Sequence, residues 1–217
     1  MSATVFLRCP SLRERGFEHG FGTRRSVGRA IPVSSQLRQV HGASLQRAPL
    51  DRPDASGDAL WTDEPGRAVA VGTADCVPIL LADLGGRGVV AVHAGWRGSA
   101  LAIAEHATRA FSAASGARPA DLIAVIGPHI GPCCYEVDAP VRDAIGDEPV
   151  FAEPIRPRPG HWMLDLFALN RLQLVRAGLA PDRVLRVPGC TACDAPRFES
   201  FRRDGRGGRM LHYIRMP

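Results

Sequence analysis

Short apolar runs bounded by turn residues are the feature that most constrains the fold of this chain. Five of them predict β-strands, because they are short and rich in Val, Ile, Leu and Ala. They cover residues 67–73, 77–83, 88–94, 122–127 and 183–187. Helical periodicity occurs between them without strict strand–helix alternation. We therefore predict the α/β (α+β) class, with mixed β-sheets and helices in a single domain over residues 1–217.

Two longer segments have the periodicity of amphipathic helices. The first covers residues 99–116, where Ser99 is a candidate N-cap and Gly116 a candidate terminator. The second has Asp165 as its candidate N-cap and Gly178 just past its end. Both segments therefore have start and stop signals as well as an apolar stripe.

Three weaker patterns complete the secondary-structure prediction. A short helix is predicted at about residues 138–145. The C-terminal segment 198–216 is interpreted as two strands joined by a Gly-rich turn. The Pro-rich stretch 149–159 is interpreted as a loop within one domain, since the segments on either side of it are similar in composition.

The composition limits the classes of partner. All 27 basic residues are Arg, and apart from a C-terminal cluster they are scattered along the sequence. Because no stripe of aromatic residues accompanies them, the net charge of +5 does not predict a nucleic-acid partner. The lack of Lys excludes a lysine Schiff base and a phosphate-loop lysine. No apolar run is long enough to span a membrane, and the charged N-terminal segment does not resemble a secretory signal. We therefore expect a cytoplasmic protein with reduced cysteines.

Three residues at strand-to-turn junctions could carry chemistry. His93 ends one apolar run, Cys76 begins another, and His41 lies between an apolar residue and Gly42. Each alone is consistent with a packed thiol or a hydrogen-bonded core histidine. Together, one thiolate and two imidazoles form a chemically sensible zinc set with a fourth position open to substrate. The spacings match no short zinc-finger signature, so the pattern leaves both readings open.

Two other stretches are candidates for metal or anion binding. The Cys190–Cys193 pair has the Cys-x-x-Cys spacing of a redox pair or of half a zinc site, but the adjacent Cys133 and Cys134 are a poor second half. Residues 201–209 offer clustered guanidinium groups on a Gly-rich backbone, either as an anion cradle or as a solvated hairpin tip.

Taken in order, several motifs resemble those of the laccase-domain family, whose members are described as multicopper polyphenol oxidoreductases and as purine nucleoside phosphorylases. The resemblance covers nearly the whole chain, and "TADCVP" followed by "HAGWRG" is its most specific part. The motifs are "HGFGTR" (19–24), "QVHGA" (39–43), "GDALWT" (57–62), "TADCVPILLAD" (73–83), "VVAVHAGWRG" (89–98), "IGPHIGPCCYEV" (126–137), "LDL" with "QLVRAGL" (164–179), and "CTACD" with "FESFRRDGRGGR" (190–209).

The resemblance implies a single-domain sandwich of mixed β-sheets flanked by helices, and a zinc triad on His41, Cys76 and His93. It also implies phosphorolysis of adenosine, inosine, guanosine and 5′-methylthioadenosine, together with deamination of adenosine. The expected partners are thus purine nucleosides and phosphate, and Zn²⁺ is the expected cofactor. One departure stands out: only "RSVGRAIPVSSQL" separates Arg24 from Arg38, so the N-terminal region is shorter than the family pattern.

Phosphorolysis and deamination suggest roles for residues near the triad. Asp75 could act as an acid or base or could orient a ligand. Arg97 could contact phosphate, with Arg202 and Arg203 as rivals, and Gln39 could hydrogen-bond the base.

Three competing hypotheses remain at this stage. In the first, Cys76 is the nucleophile of an amidase or cysteine hydrolase that edits peptidoglycan precursors, with His93 as its base. In the second, the chain is a metal-stabilised interaction module without turnover. The third, a copper oxidase, is the weakest, because seven dispersed histidines are few for a multicopper cluster.

Overall fold

The computed structural model describes residues 4–50, 52, 54–153 and 158–217. The strands are β1 Phe6–Leu7, β2 Glu18–Gly22, β3 Ser34–Gln36, β4 Leu45–Arg47, β5 Ala59–Thr62, β6 Ala68–Thr73, β7 Val77–Asp83, β8 Val89–Ala94, β9 Leu122–Ile126, β10 Glu136–Asp138, β11 Phe151–Ala152, β12 His161–Leu164, β13 Val184–Arg186 and β14 Met210–Arg215. The α-helices are α1 Pro10–Arg13, α2 Trp96–Ala100, α3 Ile103–Ser115, α4 Ala139–Ile145, α5 Leu166–Arg176 and α6 Phe201–Asp204. Short 3₁₀ turns cover Arg24–Ser26, Pro119–Asp121 and Pro181–Arg183.

A six-stranded mixed sheet forms the centre, in the order β13-β9-β7-β8-β5-β4. Its inner strands are buried at every position and mostly apolar because both faces are covered, and alternate residues point to opposite sides. In β7, for example, Ile79 and Leu81 enter one core cluster while Leu80 and Ala82 enter the other. The unbroken apolar runs in the sequence therefore reflect burial on both faces.

The five-stranded sheet β1-β2-β14-β6-β3 packs against one face of the central sheet. Helices α3 and α5, together with the small sheet β10-β12-β11, cover the other face. The architecture is thus a sandwich of mixed sheets flanked by helices, which confirms the predicted fold class. That residues 1–217 form one domain with a shortened N-terminal region stays a prediction.

All five predicted strands are present, as β6, β7, β8, β9 and β13. The second long helix is confirmed too, since the Asp165 carboxylate accepts a hydrogen bond from the Ala168 backbone amide, as an N-cap does. The short helix is present as α4, and Asp138 occupies its N-cap position.

The predicted helix at 99–116 is in fact two helices, and Ser99 is not its cap. Ser99 lies inside α2, and its hydroxyl accepts a hydrogen bond from the side-chain amide of Asn170 in α5. Its carbonyl accepts another from Gln173, so α5 holds this residue in the core. The helix is interrupted at Ala102, whose backbone is left-handed with a φ of 55°. The predicted stop at Gly116 is correct, with a φ of 72°.

The C-terminal segment is a short helix, a loop and one strand, so the predicted pair of strands is wrong. The Ser200 hydroxyl accepts from the Arg203 backbone amide and starts α6, and Gly205 ends it in the left-handed region. Strand β14 then pairs with β2 and β6 rather than with its own neighbours in sequence.

The Pro-rich stretch 149–159 includes β11, which pairs with β12; its residues 154–157 lie outside the described residues. Within the part of the chain that is described, no helix combines the length and apolar composition that crossing a bilayer requires.

Candidate functional site

His41, Cys76 and His93 meet at one end of the central sheet. One ligand atom from each lies within 4.8 Å of the others. Cys76 immediately precedes β7, and His93 lies near the end of the antiparallel neighbour β8, where it pairs with Pro78. Antiparallel pairing thus brings the start of one strand beside the end of the next.

His41 reaches this point from the loop between β3 and β4 because its backbone is left-handed, with a φ of 59°. The buried Asp58 carboxylate holds that turn: it accepts hydrogen bonds from the backbone amides of Val40, His41 (2.9 Å) and Gly42 (2.7 Å). This network offsets the cost of the unusual conformation, which a non-glycine residue adopts only where its surroundings enforce it.

Asp58 also orients His93. The Nδ1–H group of His93 donates to Asp58 Oδ1 at 2.8 Å, which leaves Nε2 without a proton in the neutral ring. Both side chains are fully buried, and His93 Nε2 has no hydrogen-bond partner among the described residues. A carboxylate behind a histidine in this way is the arrangement that aligns a metal-ligating imidazole.

Cys76, His93 and Asp58 shift one another's pKa values. Burial alone would raise the pKa of Cys76, but His41 and His93 outweigh it and lower that pKa to about 6. Burial acts to lower the pKa of His93, but Asp58 and Cys76 outweigh it and raise that pKa to about 9. Burial likewise opposes ionisation of Asp58, and the hydrogen bonds from His93 and Gly42 hold its pKa below the usual range. At neutral pH the three side chains alone therefore favour a thiolate beside a protonated His93, and a metal ion that binds Nε2 would displace its proton.

Three observations fit a bound metal ion. The donors are one thiolate and two imidazoles, which suit zinc. One imidazole nitrogen is buried without a partner. Finally, Gly95 leaves open the space beside the donors, since a Cβ there would lie 3.0 Å from both Cys76 Sγ and His41 Nδ1.

Gly95 supplies a test of this space that removes no ligand. Its φ of −74° suits alanine, so Gly95→Ala acts through the methyl group alone. We expect the zinc affinity to fall at least about tenfold, the scale seen when the support of a ligand is disturbed. Competition with a chromophoric chelator measures this affinity. Gly85→Ala is the control, because Gly85 lies past the opposite end of β7, has no left-handed φ, and its Cβ would likewise meet a side-chain atom, Asp83 Oδ2, at 3.0 Å. Equal affinity in both variants would contradict the proposed crowding.

The three residues border a cavity of about 400 Å³, within the ~300–1,000 Å³ range of small-molecule sites. His41 and Cys76 line it directly, whereas His93 lies buried behind them. Aromatic side chains line the same cavity, namely Trp96, Tyr135 and Phe201. Phe201 is 63% exposed, which is unusual for a large apolar side chain.

Asp75 lies in the cavity wall beside Cys76, with a φ of 84°. Its Oδ1 accepts from the Thr191 hydroxyl and its Oδ2 from the Arg202 backbone amide, both at 2.6 Å. Its carbonyl accepts from the Ile130 amide at 3.0 Å. Asp75 therefore ties three segments of the wall together, and each carboxylate oxygen keeps a second acceptor position.

Arg97 and Arg202 also line the cavity. The Arg97 guanidinium stacks on the Trp96 ring at 4.3 Å and makes no hydrogen bond or ion pair among the described residues. The Arg202 guanidinium donates to the Glu136 carbonyl at 2.6 Å and lies 4.9 Å from the centre of the Tyr135 ring. Arg97 thus has more hydrogen-bonding capacity for a ligand than Arg202.

The structure does not bring Gln39 and Arg203 to the cavity lining. The Gln39 side-chain amide exchanges two hydrogen bonds with the Gly72 backbone in β6. The Arg203 guanidinium donates to the carbonyls of Thr191, Ala192 and Phe198 and pairs with Asp204. Both side chains hold backbone in place here, and their ligand-binding roles stay predictions.

Several residues of the site were missed by sequence reasoning. Asp58 lies in the "GDALWT" motif, but its place behind His93 depends on the pairing of β5 with β8. Tyr135 lies in the loop before β10 and Phe201 begins α6, so the two are distant in sequence and no local pattern places them together. Arg209, which also lines the cavity, falls within the predicted anion cradle 201–209.

Comparisons with known proteins show the family of this chain. The family model described as "Multi-copper polyphenol oxidoreductase laccase" matches residues 23–217. Purine nucleoside phosphorylase YlmD of Geobacillus stearothermophilus is 40% identical over 190 residues, covering 81% of this chain and 69% of the relative. Purine nucleoside phosphorylase PA4543 of Pseudomonas aeruginosa is 38% identical over 197 residues, covering 88% and 77%.

Solved structures of relatives share the fold. The crystal structure of YlmD from Geobacillus stearothermophilus superposes with a TM-score of 0.88 at 31% identity, covering 100% of this chain and 98% of that one. The Bacillus licheniformis hypothetical protein YfiH gives a TM-score of 0.89 at 29% identity, covering 99% and 97%. Since the family model and these relatives match most of the chain, the protein belongs to the laccase-like polyphenol oxidoreductase family that includes the YlmD and YfiH purine nucleoside phosphorylases.

Proposed function

We propose that this protein is a zinc-dependent purine nucleoside phosphorylase that acts on adenosine, inosine, guanosine and 5′-methylthioadenosine and also deaminates adenosine. The observation that carries the proposal is the meeting of a metal-ligand triad with a cavity lined by aromatic and arginine side chains. The names of the relatives support the same reaction class.

Zinc bound by His41, Cys76 and His93 would supply Lewis acidity beside the cavity. Asp58 holds the imidazole of His93 in the tautomer that presents Nε2 to the ion. Zinc is preferred to copper because, among the described residues, only two histidines belong to a metal-ligand cluster, whereas multicopper sites need many imidazoles.

The cavity lining suits both parts of the substrate pair. Phosphate needs positive charge and N–H donors, which Arg97 and Arg209 supply because neither guanidinium makes a hydrogen bond or ion pair among the described residues. A purine needs flat apolar surfaces, which the rings of Tyr135 and Phe201 provide. Deamination also needs a group that moves a proton, and the Asp75 carboxylate is the candidate.

The primary experiment incubates zinc-loaded protein with adenosine, with and without phosphate, and separates the products by chromatography. Adenine that forms only with phosphate would support phosphorolysis, and inosine that forms without phosphate would support deamination. Neither product from protein that retains zinc would contradict the proposal.

Arg97 provides a test of the phosphate site. We expect Arg97→Ala to raise the KM for phosphate by about 10- to 100-fold, because a charge-assisted hydrogen bond contributes roughly 1.5–3 kcal/mol. The KM for adenosine should change less. Arg109→Ala, on the exposed face of α3 and paired with Glu105, is the matched control. An unchanged KM for phosphate would shift the role to Arg209 or Arg202.

A second candidate function rests on the order in which the side chains of Cys76, His93 and Asp58 follow one another. This order resembles the nucleophile, base and orienting carboxylate of a cysteine hydrolase. It would support the amidase alternative, with cell-wall precursors as substrates. The two candidates differ in zinc dependence: a thiolate bound to zinc is not free to attack. Amidase activity that rises when a chelator removes zinc would favour the second candidate.

A further inference from the structure

Four cysteine thiols outside the candidate active site converge at one point. Cys133 and Cys134 lie in the loop that follows β9, and Cys190 and Cys193 lie in the loop that follows β13. One sulfur atom from each lies within 4.8 Å of the others. The Sγ atom of Cys193 is 3.2 Å from that of Cys134 and 3.6 Å from that of Cys133.

The fold explains why these loops meet. Strands β9 and β13 are parallel neighbours, so their carboxyl ends lie at the same edge of the sheet. The pairing continues past the strands, because the amide of Thr191 donates to the carbonyl of His129 at 3.0 Å. The cysteines are therefore held together by backbone hydrogen bonds that do not depend on the thiols.

We propose that Cys133, Cys134, Cys190 and Cys193 form a second metal site, a structural zinc centre with four thiolate ligands. A tetrahedral zinc ion with Zn–S bonds of about 2.3 Å separates its sulfur atoms by about 3.8 Å. The two Cys193 distances of 3.2 and 3.6 Å lie somewhat below that value, and no pair of the four sulfur atoms is more than 4.8 Å apart. A disulfide would need about 2.05 Å and would use only two of the four thiols.

The surroundings of the sulfur atoms have features of a built site. The Gly131 amide donates to Cys190 Sγ at 3.3 Å, and such N–H donors stabilise a thiolate. Gly131 also leaves space for the thiols, since a Cβ there would lie 3.3 Å from Cys133 Sγ and 3.6 Å from Cys190 Sγ. Four thiolates around Zn²⁺ carry a net charge of −2. The N–H donor of Gly131 offsets part of this negative charge.

The centre would clamp two parts of the cavity wall. Tyr135, which lines the cavity, follows Cys134 directly. Thr191, between Cys190 and Cys193, donates its hydroxyl to Asp75. A zinc ion shared by the two loops would thus fix the aromatic side chain and the carboxylate relative to each other, without contacting substrate.

The first test counts zinc by mass spectrometry in protein purified under reducing conditions. We expect about two zinc ions per chain in the wild type and about one in Cys76→Ala, which retains only the second centre. The double variant Cys133→Ser/Cys193→Ser should also hold about one zinc ion per chain. Cys9→Ser, which replaces a buried thiol outside both clusters, should hold about two. A Cys76→Ala protein that contains no zinc, or that holds iron in its place, would overturn the proposal.

A second test covers the case in which the double serine variant fails to fold. Cobalt(II) loaded into Cys76→Ala should give the intense thiolate-to-metal charge-transfer absorption of a tetrahedral four-sulfur site. Native Cys76→Ala loaded with zinc should also protect four thiols from a disulfide reagent, and a chelator should expose them. Thiols that react freely before chelation, or that a reductant releases in pairs, would show free cysteines or disulfides and refute the zinc centre.

Discussion

Replacing Cys76 with alanine is expected to remove one zinc ion per chain and to lower phosphate-dependent adenine release by more than about 100-fold. The reason is that Cys76 is the only thiolate among the three candidate ligands. Loss of a mere supporting partner already costs about 10- to 100-fold in metal affinity or activity, so loss of a ligand should cost more. Zinc content by mass spectrometry and adenine by chromatography measure the two effects.

Cys9→Ala is the matched control for this variant, because Cys9 is a buried thiol that belongs to neither cysteine-containing cluster. It should keep both zinc and turnover. Normal adenine release from Cys76→Ala would refute the assignment of the reaction to this site. Loss of turnover in both variants would instead indicate a general effect on folding.

Asp58→Ala is expected to have the largest effect on stability, about 2–4 kcal/mol in the free energy of unfolding. The carboxylate is fully buried and accepts from three backbone amides and from the His93 ring. Each buried donor left without a partner costs roughly 1–3 kcal/mol, and partial exposure of the loop reduces the sum. Urea unfolding at neutral pH measures the loss.

The same substitution should weaken zinc binding, since the His41 turn and the His93 ring both lose their support. Asp58→Asn keeps nearly the same side-chain volume, so comparing it with Asp58→Ala separates the effect of the lost charge from the effect of the lost packing. Asp63→Ala is the control, because Asp63 forms an exposed pair with Arg47 that contributes about 0–1 kcal/mol. If Asp58→Ala were no less stable than Asp63→Ala, the buried network would not have the role assigned to it.

The stability that Asp58 contributes should depend on pH. Its folded-state pKa lies below the ordinary value of 3.8, so the carboxylate is ionised throughout the neutral range. The contribution is complete above the unfolded-state pKa and is lost as the pH falls through the lower folded-state pKa. Against the effect of burial, Asp58 also helps to raise the pKa of His93 to about 9, so the stabilisation from this pair is lost as the pH rises from the ordinary histidine value of 6.5 through about 9. The difference in stability between wild type and Asp58→Asn should therefore narrow both below about pH 3.8 and in alkali.

Local patterns in the sequence predicted much of the fold, because the inner strands of the central sheet are apolar on both faces and end at turn residues. They failed where tertiary contacts compete with local preference. The hydroxyl of Ser99, for example, accepts from Asn170 in α5 instead of capping a helix. Ser200 is a different case: its hydroxyl makes a local capping bond that starts a helix where two strands were predicted.

The sequence by itself determined the identities of the triad residues, His41, Cys76 and His93, and the mixed α/β class. Their chemistry and their positions beside turn residues are local properties. Only the tertiary structure decided that Asp58 supports the triad, that Gln39 and Arg203 hold backbone instead of lining the cavity, and that four separate cysteines meet. Each of these depends on which strands are neighbours and in which direction they run, and side-chain burial along one strand carries no information about its partner.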